Sequence, residues 1–274
     1  MITFFAHLRI DCPDRLKNLQ TILNYYGNEF PDAKFIFVED DKEHCKQLNP
    51  PNIKYPKGRT SIMFMENPGP WHKTRALNYA VRKATTDIVI QLDVDCIFSS
   101  SAIKKCVEQL QNDPELQYGF PYNGYVIDLN YPIHDNFILT CYDYNSLLDV
   151  LPSKKLSLSY SDENLLVRCT SGEHLGVGGM VVFKRKDYCE NGGYNPNFVC
   201  WGGDDNEIDK RFVKLGLKSC RITDDEAICF HLPHKNAIRF ENPYYKHNYE
   251  ELDKVEKMNK EELKSYISTW KCCD

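Results

Sequence analysis

The chain has 274 residues, 42% hydrophobic and 27% charged, with a formal net charge of -5. That length is enough to bury a full core, and the acidic balance gives no global electrostatic drive toward nucleic acid, which excludes that partner from the expectation. No apolar run has the length of a bilayer span or the flanks of a signal peptide, so the reading is a cytoplasmic protein making at most a peripheral membrane contact. The 12 cysteines are scattered without a C-x-x-C pair, which predicts reduced, core-filling thiols.

Ile2 to Leu8 reads as a buried strand, and Leu16, Leu19, Ile22 and Leu23 predict a helix over Arg15 to Tyr26. Ala33 to Val38 is a second strand that ends in Glu39-Asp40-Asp41, as strands facing a ligand crevice do. Asn49 to Gly69 reads as loop with one strand at Ser61 to Met65. A helix over Trp71 to Lys83, a strand over Asp87 to Leu92 and a helix over Ser101 to Asn112 follow. This alternation predicts a Rossmann-like, mostly parallel α/β sheet in residues 1–110. Beyond it we expect one or two strands in Tyr118 to Tyr131, a helix over Asn136 to Leu151 and a strand over Gly176 to Phe183. Leu156 to Thr170 is ambiguous. A helix is expected over Asp204 to Leu215, and a single amphipathic helix over Tyr249 to Trp270. The expected organisation is one domain over residues 1–248, with a nucleotide-binding half (1–110) and a catalytic, acceptor-binding half (111–248). Residues 249–274 are expected to pack back on it.

Chemistry concentrates at four places. Ile88 to Leu92 runs straight into Asp93-Val94-Asp95, and two carboxylates at a strand end can share a divalent ion, one directly and one through water or a ribose. The blander explanation is a solvated acidic turn, but the apolar run before it argues for a buried site. Lys73 and Arg75 open a helix, where basic groups and free amides suit a diphosphate; a solvated basic turn accounts for them equally well. Trp201-Gly202-Gly203-Asp204-Asp205 offers an aromatic face for a sugar, close backbone approach and a general base, although acids at a helix start also answer the dipole. In Phe230-His231-Leu232-Pro233-His234 either imidazole could complete a metal shell, while a histidine beside an apolar strand is more often structural.

The ordered set of Glu39-Asp40-Asp41, the Lys73 to Asn78 helix, Asp93-Val94-Asp95, Gly178-Gly179, Trp201 to Asp205 and His231 resembles the GT-A glycosyltransferases. The nearest likeness is to the β-1,4-galactosyltransferase C-terminal motif and its chondroitin-polymerase-like relatives, over about residues 2 to 245. The resemblance implies a metal-dependent enzyme using Mn²⁺ or Mg²⁺. It would move a hexose or N-acetylhexosamine, Gal or GalNAc, from a UDP-sugar to a carbohydrate or glycosylated acceptor. Arg9 would contact the nucleotide, Glu39 or Asp40 the uracil or ribose, and Trp71, Lys73, Asn78 and Val94 the donor. Asp95 would bind metal with His231 or His234, and Asp93 would lie at the metal and ribose. Gly178 and Gly179 would line the donor sugar. Trp201, Gly202, Gly203 and Asp204 would meet the acceptor, and Asp204 and Asp205 would be the catalytic pair, with Asp205 the base of an inverting reaction.

Asn206 breaks the family's run of acids. The same stretch resembles the retaining polypeptide N-acetylgalactosaminyltransferases, in whose alignment Asp205 replaces an asparagine, and a carboxylate there favours inversion. The rivals are a haloacid-dehalogenase-type phosphatase, a sugar nucleotidyltransferase and a non-catalytic nucleotide-sugar-binding module. The first expects its D-x-D near the N-terminus with Gly-Thr behind it, and the second a Gly-rich basic loop after the first strand; neither pattern is present. The transferase reading requires residues 93, 95, 204, 205 and 231 or 234 to converge on one pocket.

Overall fold

A computed structural model describes residues 1–151, 175–235 and 242–270, and the backbone of 165–169. Ile2–Leu8 (β1), Lys34–Asp41 (β2), Thr60–Glu66 (β3) and Ile88–Leu92 (β4) pair in parallel, in the order β3-β2-β1-β4. Every residue of β4 is buried, as expected where helices cover both faces of a parallel sheet. The later strands are Cys96–Phe98 (β5), Leu116–Phe120 (β6), Tyr125–Leu129 (β7), Leu165–Cys169 (β8), Met180–Lys184 (β9), Lys218–Arg221 (β10) and Cys229–His231 (β11). β9 lies antiparallel between β4 and β6, and β10 runs parallel to β6, which completes a seven-stranded sheet. A second sheet has the order β5-β11-β7-β8.

The helices are Pro13–Glu29 (α1), Lys73–Lys83 (α2), Ser100–Asn112 (α3), Tyr131–Leu139 (α4), Asn145–Leu148 (α5), Arg185–Glu190 (α6), Asp204–Leu215 (α7), Tyr245–Lys257 (α8) and Lys260–Ile267 (α9). α1 starts on Pro13, whose missing N–H is no loss in a first turn, and buries Leu19, Ile22, Leu23 and Tyr26. α2 buries Ala76, Leu77, Ala80 and Val81. No helix among the described residues is long and apolar enough to cross a membrane.

Four sequence expectations need correction. The helix expected over 136–151 is two short helices, because Cys141 and Tyr142 take left-handed φ of 57° and 67° and turn the chain. The C-terminal helix is also two: Met258 is extended, and Asn259 starts α9 with a capping box closed by Glu262. Gly178 and Gly179 precede β9 instead of lying within it. Tyr118 to Tyr131 supplies two strands, and most of the ambiguous 156–170 stretch lies outside the described residues. Among the described residues eight cysteines are free thiols, but Cys189 is disulfide-bonded, against the expectation of uniformly reduced cysteines.

The C-terminal helices are clamped to the loop that leads into α7. The Asn248 amide donates to the Val199 carbonyl (2.8 Å) and accepts from its N–H (3.1 Å). The Glu251 carboxylate accepts from Asn195 (2.9 Å) and from the Tyr266 hydroxyl (2.6 Å). Arg211 is fully buried. It pairs with Glu207 at 2.6 Å, donates to the carbonyls of Asn191 and Gly193, and lies 5.0 Å from the centre of the Trp270 ring. Trp270, Ile267, Leu263, Val255 and Leu215 form a small apolar cluster of their own.

Candidate active site

A cleft of about 470 Å³ opens where β1 and β4 end, and its walls include Asp93, Asp95, Asp204, Asp205, His231 and His234. The side chains that the sequence requires to meet therefore share one cavity, with both histidines present where one was required. Topology accounts for the meeting: β5 turns back beside β11, so Cys96 stands opposite His231, and the Leu232 N–H donates to the Asp95 carbonyl at 2.7 Å.

At one end, Asp95 Oδ2 lies 3.7 Å from His231 Nε2 and 3.3 Å from His234 Nε2. Ligand atoms of these three residues all fall within 4.8 Å of one another, so both histidines converge on Asp95 rather than competing for one place. His231 Nδ1 sits 2.9 Å from Asp128 Oδ1, the carboxylate–histidine arrangement that orients metal-ligating imidazoles. Burial alone would raise the Asp95 carboxyl, but the two histidines hold it well below the usual carboxylate range. Arg15 Nη1, 3.5 Å away, adds positive charge on the same side.

Asp93 points elsewhere. Its Oδ1 accepts from Gln91 (2.9 Å) and lies 3.3 Å from Lys73 Nζ, which is also 3.3 Å from Asp204 and 3.4 Å from Asp205. One ammonium among three carboxylates leaves excess negative charge in a partly dry site. Burial, then Asp204, pushes Asp205 up to about 8 in spite of Lys73, and burial raises Asp93 likewise. Burial would lower Lys73, but Asp204, Asp205 and Asp93 hold it well above the ordinary lysine value. Gly203, at φ 86°, turns the chain into α7 and so brings Asp204 and Asp205 to the helix's first turn. Gly178 leaves the space that Asp205 fills, and its carbonyl accepts from the Tyr122 hydroxyl at 2.8 Å.

Toward β1, the His7 ring stacks on Trp71 (centroids 5.5 Å apart) with its Nε2 3.6 Å from Asp40, and Arg9 lies 3.5 Å from Asp41. His7, Arg9, Trp71, Lys73, Val94, Gly178, Gly179 and Trp201 line the cleft. Several sequence candidates do not. Glu39 is buried and engaged by the Cys45 N–H (2.7 Å) and by His44 (2.5 Å). Asp40 is buried and accepts from the His72 N–H. Asn78 is buried between the Tyr194 backbone (2.7 and 2.9 Å) and the Tyr188 hydroxyl (2.6 Å). Arg75 reaches the Pro196 carbonyl at 3.3 Å, and Gly202 and Gly203 shape the turn beneath the wall.

Sequence reasoning missed Arg15, Tyr122 and Asp128. Asp128 left a readable trace, a lone carboxylate in the apolar run Val126-Ile127-Asp128-Leu129. Arg15 left a weaker one as the i+4 partner of Asp11. Tyr122 left none.

The family model "Glycosyl transferase family 2" matches residues 15–189, and the one described as "N-terminal domain of galactosyltransferase" matches residues 167–235. A probable glycosyltransferase of Sulfolobus acidocaldarius is 24% identical over 199 residues, 65% of this chain, and the chain spans 42% of that relative's length. Among solved structures, GalNAc-T7 with UDP, GalNAc and Mn²⁺ superposes with a TM-score of 0.61 at 14% identity, covering 93% of this chain and 47% of that one. The catalytic domain of Drosophila beta1,4galactosyltransferase 7 with xylobiose gives 0.51 at 11% identity, covering 95% and 82%. The fold is thus the GT-A arrangement, and with a family match over more than half its length the chain belongs to glycosyl transferase family 2.

Proposed function

We propose that the protein transfers galactose or N-acetylgalactosamine from a UDP-sugar to an acceptor hydroxyl, with inversion and with Asp205 as general base. The carrying observation is the junction, in one cleft, of the Asp95–His231–His234 group with the Lys73–Asp93–Asp204–Asp205 cluster. A carboxylate with two imidazoles, one backed by Asp128, is a donor set that suits Mn²⁺ better than Mg²⁺. Bound there, the ion would supply positive charge against the negative charge that grows on a departing diphosphate.

The chain's own groups do the rest. Asp205, enclosed and raised to about 8, takes the proton of an acceptor hydroxyl increasingly well as the pH climbs toward that value. Lys73 holds Asp93, Asp204 and Asp205 at fixed spacing. His7 and Trp71 offer a stacked aromatic wall for the nucleobase, and Trp201 an apolar face for the sugar. The structures of GalNAc-T7 with UDP and GalNAc and of the galactosyltransferase with xylobiose support this choice of donor and acceptor class. The test is UDP release from UDP-Gal, UDP-GalNAc, UDP-Glc, UDP-GlcNAc and UDP-GlcA with Mn²⁺ and then with EDTA. Product anomers are read by NMR once an acceptor is found. Release from UDP-Gal or UDP-GalNAc that EDTA abolishes supports the reading; affinity for UDP without any release or transfer overturns it.

A further inference from the structure

Outside the cleft's charged floor, the wall formed by Trp201 continues into the C-terminal helices. The Trp201 ring stacks on Tyr245, centroids 6.3 Å apart at 17°, and Tyr245 packs on Tyr249 at 4.4 Å and 33°. The two tyrosines are one turn apart on α8 and so share a face. Tyr249 remains 37% exposed. Gly202, against the rings of Tyr245 and Tyr249, takes a left-handed φ of 114° that would strain any side chain.

This mounting is rigid. Asn242 Nδ2 donates to the Trp201 carbonyl at 2.6 Å, and Asn248, between the two tyrosines in sequence, is fully buried and donates to the carbonyls of Val199 and Trp201. His247 Nε2 lies 3.0 Å from the Asn197 carbonyl. The rings are therefore tied to the loop that leads into α7, whose first turn carries Asp204 and Asp205. The two tyrosines extend the aromatic surface that begins with Trp201 in the cleft wall, and the part-exposed Tyr249 ring offers the kind of apolar face on which a pyranose ring packs.

We infer that Tyr245 and Tyr249 form an outer acceptor subsite, which stacks the sugar next to the one whose hydroxyl attacks. The acceptor is then a saccharide of at least two units. This rests on the transferase reading above and deepens it by assigning the acceptor's size class.

The test uses the whole chain with UDP and Mn²⁺ on an array carrying mono- and oligosaccharides, comparing wild type with Tyr249→Ala and Tyr249→Phe. UDP affinity in Mn²⁺ and thermal melting are measured on each protein to confirm folding. We expect wild type to retain oligosaccharides over their terminal monosaccharides, Tyr249→Ala to lose about tenfold or more of that retention, and Tyr249→Phe to keep it. Equal retention of a monosaccharide and its oligosaccharide, unchanged retention in Tyr249→Ala, or no glycan retained at all overturns the subsite. Loss of UDP binding in wild type would instead count against the transferase reading, so the two failures are distinguishable.

Discussion

Gly178 and Asp205 occupy adjoining space: a Cβ on Gly178 would collide with Asp205 Oδ2 and lie 3.1 Å from its Cγ. Gly178→Ala must therefore displace the proposed base. Since misplacement by about 1 Å can cost ~10²-fold in rate, turnover should fall by about that factor while UDP affinity changes little. Steady-state kinetics beside UDP titration would check this, and an unchanged kcat would separate Asp205 from the chemistry.

Asp205 also gives a pH prediction. Burial and Asp204 raise its folded-state value from 3.8 to about 8, so between those values the unfolded chain ionises it and the folded chain resists. Folding stability contributed by this group is therefore lost as pH rises through that window, while base function is gained. The kcat/KM profile should climb with pH and level off above about 8. Asp205→Asn should melt higher than wild type at pH 8, yet lose about 10²–10⁴-fold in turnover. A flat profile together with an unchanged melting point would refute the assignment.

Asp128 touches His231 and is not one of the three converging ligand residues. Replacing a group that orients a ligand in this way costs about 10–100-fold in metal affinity, and Asp128→Asn should show that loss by Mn²⁺ titration with EPR detection. Asp95→Ala should abolish binding. Equal Mn²⁺ affinity in wild type and Asp95→Ala would rule out the site.

His134 is fully buried on α4, with its Nε2 3.0 Å from Thr21 Oγ1. Burial first, then Lys17, lowers its value from 6.5 to about 4. The unfolded chain binds this proton at a higher pH than the folded one, so stability is full above 6.5 and declines as pH falls toward about 4. Chemical denaturation at several pH values should show a shallower decline between 6.5 and 4 in His134→Gln than in wild type. The same slope in both would assign the acid sensitivity to other groups.

Much of the architecture was legible. β1, β2 and β4 are short, near-continuous apolar runs, the pattern of strands buried on both faces, and α1, α2, α3 and α7 carry apolar residues at helical spacing. Asp93-Val94-Asp95 stood out because acids follow directly on a run buried throughout. The division of labour between those two acids came from the resemblance alone, which gave the metal to Asp95; its physical ground, Lys73 approaching Asp93 and His231 and His234 approaching Asp95, lies across elements distant in the chain. Glu39 and Asn78 were expected to contact the donor through the resemblance, and the structure instead buries both against backbone. Their partners, the Cys45 N–H and the Tyr194 backbone, come from loops that no periodicity describes. The breaks at Cys141 and Met258 escaped notice because neither residue type announces a turn; Asn259 does, through its box with Glu262.

The grip of α8 and α9 on residues 191–201 has an operational meaning. Asn248, Glu251, Arg211 and Trp270 tie the proposed base's loop to a small apolar cluster beside the main core, and local opening of such a unit requires less free energy than melting the sheet. On heating, catalytic competence should thus vanish before the bulk of the secondary structure does, and proteolytic nicking of the tail should disarm an otherwise intact sheet. The last turns of the chain act as a fuse for the chemistry performed far upstream of them.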